Sequence, residues 1–65
     1  MKQLGNLAII CARRQSVLLQ IQDGMVSVFV GIGPDRGVLS ARWDDDAEID
    51  RIIHELNFGK YKVQR

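Results

Sequence analysis

The chain holds one cysteine, Cys11, and one histidine, His54, so few combinations of nucleophile, base and orienting partner are open to it. Cys11 ends an apolar run instead of opening a helix, where a thiolate is stabilised, and reads as a small buried hydrophobe. His54 follows Ile53 and falls off the apolar stripe Ile49, Ile52 and Leu56, which makes it a solvent-facing helix residue. The glycine-rich run Gly31-Ile32-Gly33-Pro34-Asp35-Arg36-Gly37 matches neither the dinucleotide fingerprint nor the P-loop, and it joins two strands where those loops lead into a helix. Asp44, Asp45 and Asp46 have the hard oxygens that magnesium or calcium prefers. Consecutive residues at a helix start diverge around its axis, however, so capping accounts for them better. The expectation is a protein without catalytic, cofactor-binding or metal-ligating residues, and not an enzyme.

The elements that would position any site follow from turn chemistry and apolar spacing. A chain of 65 residues buries only about 60% of its unfolded surface, and with a single cysteine no internal disulfide can reinforce a thin core. Composition is that of an ordinary globular domain, 46% apolar and 26% charged. Met1 to Ala12 has the outline of a secretion signal, but its apolar stretch from Leu7 to Ala12 is at the bottom of the usual length and the small-residue cleavage pattern is missing, and no run approaches a membrane span. A reduced, cytoplasmic setting with no membrane contact is expected.

Four strands are predicted at about 7–12, 17–22, 25–32 and 38–43, then a helix at about 46–58 and a basic tail at 60–65. This is a single α+β domain, a four-stranded antiparallel meander followed by one C-terminal helix (ββββα). Asp23-Gly24 is a two-residue type I′ signal that sets Gln22 opposite Met25 and Val17 opposite Val30. A three-residue loop with Gly37 in the left-handed region would set Phe29 opposite Trp43 and Ile32 opposite Ser40. The loop around Arg14 leaves the first hairpin open, with either Ile10 and Ala12 or Ile9 and Cys11 on the aliphatic face. Asp45 with Glu48 resembles a capping box, and Gly59 stops the helix as the residue beyond its C-cap.

Counting faces gives the functional expectation. One helix covers one face of a sheet, and the other face stays apolar whichever is chosen. The candidates are Leu18, Met25, Phe29, Leu39 and Trp43, or the opposite set Val17, Leu19, Ile21, Val26, Val28 and Val30. Aromatic content favours the Leu18, Phe29 and Trp43 side for the helix. An exposed apolar face of this size marks an interaction surface, so a homodimer joined sheet to sheet is expected, with a protein as a further partner. Net charge is only +1, which implies no global attraction to nucleic acid. Yet in a meander Arg13, Arg14 and Arg36 share an end of the sheet, and a returning helix would bring Lys60, Lys62 and Arg65 to it. These six are candidate phosphate contacts for an alternative role in binding nucleic acid, one that no motif supports.

Overall fold

A computed structural model describes residues 2–32 and 35–59. The element order is α1 (Lys2–Ala12), β1 (Val17–Gln22), β2 (Met25–Ile32), β3 (Asp35–Arg42) and α2 (Asp46–Phe58). The class is α+β with an antiparallel sheet, but among the described residues the sheet has three strands in the order β1-β2-β3 and there are two helices.

The expected strand at 7–12 is the second half of α1. Six apolar residues in a row fit either a strand buried on both faces or one side of a helix. Leu4 decides it, because Leu4, Leu7, Ile10 and Cys11 recur at helical spacing. Leu7 and Cys11 are buried, Leu4 and Ile10 pack against the core, and Ala8, Ile9 and Ala12 face outward. Neither register considered for a first hairpin therefore applies.

The hairpin β1–β2 forms through Asp23 and Gly24, at φ 54° and 76°, the two left-handed residues a type I′ turn requires. Its register runs from Val17 opposite Val30 to Gln22 opposite Met25, as the turn predicts. The β2–β3 pairing departs from expectation. Phe29 lies opposite Val38, not Trp43; Ile32 lies opposite Asp35, not Ser40; and Gly37 sits inside the ladder opposite Val30. The connection is thus at Gly33-Pro34, outside the described residues, and β3 begins earlier than the expected 38–43. The displacement is an odd number of residues, so β3 turns over: Leu39, Ala41 and Trp43 join the aliphatic side, and Val38 takes the other.

Helix α2 spans Asp46–Phe58 as predicted. Asp45 accepts the Glu48 N–H at 3.2 Å, while the Glu48 carboxylate pairs with Arg51 instead of returning to complete the capping box. Gly59 ends the helix with extended, not left-handed, backbone and donates to the Glu55 carbonyl at 3.1 Å. Glycine is favoured there by close approach, since a Cβ would lie 3.0 Å from the Glu55 Cα.

Both helices cover the same sheet face, α1 against β1 and α2 against β3, and they pack on each other. Between the layers lie Leu7, Val17, Val26, Val28, Val30, Ala41, Ile49, Ile52 and Leu56. The helices therefore cover the aliphatic side, not the side with Leu18 and Phe29. Among the described residues no helix is long and apolar enough to cross a membrane.

Candidate interaction surface

Strand alternation sorts the side chains between a covered and an open face. On the open face the registers make four cross-strand rows. Ser16 leads into the first, with Gly31 and Arg36; the second is Leu18, Phe29 and Val38; the third Gln20, Ser27 and Ser40; the fourth Gln22, Met25 and Arg42. Leu18 is 63% exposed, Val38 54%, Met25 41% and Phe29 40%, so an unbroken apolar row crosses the sheet and meets solvent. Gly31 leaves a shallow depression beside this row, walled by Leu18, Phe29 and Val38 and flanked by Arg36 and Ser16. The Gln20 amide donates to Gln22 at 3.1 Å, as expected of neighbours sharing a face. Among the described side chains of these rows there is no carboxylate. The only charges are Arg36 and Arg42, the second paired with Asp44 at 3.3 Å.

The first candidate set is therefore split. Leu18, Met25 and Phe29 lie on the open face, while Leu39 and Trp43 are half-buried against the core, with Trp43 over Gly24. Of the opposite set, Val17, Val26, Val28 and Val30 are buried, Leu19 is half-buried, and Ile21 is exposed at the strand's end. Val38 was missed because its face depends on the second hairpin's register, which turn chemistry alone did not yield.

Charge is polarised along the strands. The acidic end gathers Asp23, Asp44, Asp45, Asp46 and the start of both helices. The other end has Arg13 and Arg14 after the C-terminus of α1 and Arg36 on the open face, and Lys60, Lys62 and Arg65 lie outside the described residues. Two parallel helix dipoles favour this distribution. It is also wired by hydrogen bonds that cross between the helices. Asp46 of α2 accepts the Gln3 N–H in the first turn of α1 at 3.4 Å, and Asp50 accepts from the Gln3 amide at 3.3 Å. At the far end Arg14, just beyond α1, donates to the Leu56 carbonyl in the last turn of α2 at 3.0 Å. Each helix thus satisfies backbone groups that the other leaves without intrahelical partners. The three aspartates do separate jobs, Asp44 on Arg42, Asp45 on Glu48 and Asp46 on α1. No group suited to a metal ion occurs among the described residues.

The reactive residues lie apart from the open face. Cys11 is in the last turn of α1, 5% exposed, and burial raises its thiol pKa, with the Arg14 guanidinium pulling in the opposite direction. It is buried as expected, although in a helix and not a strand. His54 faces outward on α2 with its ring 5.3 Å from that of Phe58. A groove of about 250 Å³ between α2 and the β3 edge is lined by Leu39, Ser40, Arg51, Ile52 and Glu55. Compared with known protein families, characterised proteins and solved structures, the chain matches none.

Proposed function

We propose that this protein is a small cytoplasmic interaction module that works without catalysis and self-associates through its open sheet face. The observation that carries the reading is the solvent-exposed row Leu18–Phe29–Val38 on the face that neither helix covers. In a chain this small, exposing that row costs solubility without stabilising the fold, so a partner is the natural use for it. The outer helix layer stays available to another protein, and Phe58, 72% exposed, is its most prominent apolar side chain. A reducing compartment accords with a lone cysteine buried at 5% exposure. The test is absolute mass by light scattering across protein concentrations at low and high salt. A dimer that forms with concentration, persists in salt and is lost in Phe29→Ser supports the reading; a monomer throughout overturns it.

A second reading has its own observation: Arg13 and Arg36, both exposed, lie at the same end of the sheet. A basic end of this kind suits phosphate contact without sequence preference. Binding to single- or double-stranded nucleic acid that weakens steeply with salt would favour it, and salt-insensitive behaviour would remove it.

A further inference from the structure

When all four rows of the open face overlap, their chemistry suits only one of two ways in which two copies can meet. Resting on the self-association proposed above, we infer that the occupant of this face is a second copy related by a two-fold axis running along β2, in the plane between the sheets.

A two-fold axis in an interface plane can run along the strands or across them, and the two choices pair different residues. Across the strands, β3 lies over the partner's β3 with its direction reversed. With that axis through the middle of the face, so that all four rows overlap, Arg36 meets the partner's Arg42 and the apolar row Leu18–Phe29–Val38 meets the polar row Gln20–Ser27–Ser40. That arrangement sets like charges together and apolar on polar surface. An axis moved onto the apolar row stacks that row on itself but leaves the fourth row without a counterpart. Along β2, heights are kept and the outer strands exchange. Phe29 then meets Phe29, Met25 meets Met25, and Leu18 meets Val38, while Arg42 lies over Gln22 and Arg36 over Ser16. Each apolar side chain finds an apolar one, and each arginine finds a neutral side chain able to accept a hydrogen bond. Aligned sheets crossing at about −30° keep the residues nearest the axis, Ser27 and Phe29, in register.

Area sets the strength. Three strands at about 4.8 Å spacing, with roughly seven residues at about 3.3 Å each, make a face of roughly 14 by 23 Å. With side-chain relief, two such faces bury on the order of 800–1,000 Å², at the edge of the roughly 1,000 Å² below which only weak, transient interfaces fall. The dimer is accordingly a reversible one, with dissociation in the micromolar range or weaker.

The experiment uses the full chain and a pair of opposite charges at Gln22, measured by sedimentation equilibrium at low and high salt. Gln22→Glu faces the partner's Arg42 twice per dimer, and Gln22→Arg sets guanidinium against guanidinium. The expected result is that Gln22→Glu dimerises about tenfold more tightly than Gln22→Arg, a difference that shrinks with salt. The same swap at Asn57, an exposed position on α2, corrects for net charge and is expected to change nothing. If the Gln22 variants dimerise equally while Phe29→Ser still abolishes the dimer, the axis is wrong and the self-association stands. If the wild-type protein is monomeric at every concentration, both fall. A dimer indifferent to Phe29→Ser also overturns the inference and moves the interface to another surface, such as the β3 edge.

Discussion

Val28 and Phe29 are neighbours on one strand, and they belong to different problems. Val28 faces the helices with no exposure, among branched aliphatic residues that fold the chain; Phe29 faces solvent at 40% exposure on a row the fold does not need to cover. Among the described side chains the covered face of the sheet is aliphatic apart from Trp43 and holds no charge, whereas the open face mixes an apolar row with amides, hydroxyls and arginines. One face is built for burial alone. On the proposed reading, the other serves contact that can be made and broken.

The sharpest way to break that distinction is to place the same charge on each side. Val28→Asp puts an unpaired carboxylate between the layers, a penalty of several kcal/mol against the roughly 5–15 kcal/mol total of an ordinary domain. The expected outcome is loss of the cooperative urea transition. Phe29→Asp is expected to fold with a midpoint near wild type in dilute solution and to lose the concentration-dependent mass. If both variants unfold alike, the open face is part of the folding core and the distinction is wrong.

Where local chemistry fixes the geometry, the sequence could be read directly. Asp23-Gly24 set the register of β1 on β2, and Asp45 marked the start of α2, because each signal acts within a few residues. The first element was misread for want of one residue of context, since Leu4 lies outside the apolar run that suggested a strand. The second hairpin was misread because a glycine at 37 suggested a left-handed turn, while the chain reverses earlier and Gly37 pairs with Val30. That odd displacement carried Leu39 and Trp43 to the covered face and brought Val38 to the open one. An apolar surface left by the sheet was thus legible, but its membership and its helix-free side were not. The hydrogen bonds between helices were beyond reach altogether, because they join residues more than forty positions apart on a helix that had not been foreseen.

Those bonds give the next effect in size and test whether the covered side is held as one unit. Arg14→Met keeps the aliphatic stem and removes the donor to the Leu56 carbonyl, an expected loss of about 1.5–3 kcal/mol in urea unfolding. Asp46→Asn weakens the charge at two helix N-termini and is expected to cost about 0.3–1 kcal/mol. Hydrogen exchange localises each: faster exchange near the end of α2 for the first, and in the first turn of α1 for the second. Neither is expected to change the dimerisation constant of the folded protein, since neither residue lies on the open face. A change there would couple the two sides.

The smallest effect is a pH dependence confined to the covered side. Burial holds the Cys11 thiol neutral beyond its ordinary value of 9.0, although Arg14 pulls the other way. A thiol whose pKa is raised on folding contributes stability that is complete below 9.0 and is lost as pH climbs through the folded value, because the unfolded chain then gains the ionised form first. Cys11→Ala is therefore expected to lower stability modestly at neutral pH, where a small cavity is left, and to flatten the decline above 9.0. Tyrosine and lysine also titrate in that range, so the quantity to read is the difference between wild type and variant, from urea unfolding at each pH. Arg14 makes the test specific. Removing its charge leaves burial unopposed, so Arg14→Met should push the onset of thiol ionisation in the folded protein to still higher pH. Thiol absorbance in the ultraviolet follows that onset, and an onset unmoved or lowered would mean that Arg14 does not act on Cys11.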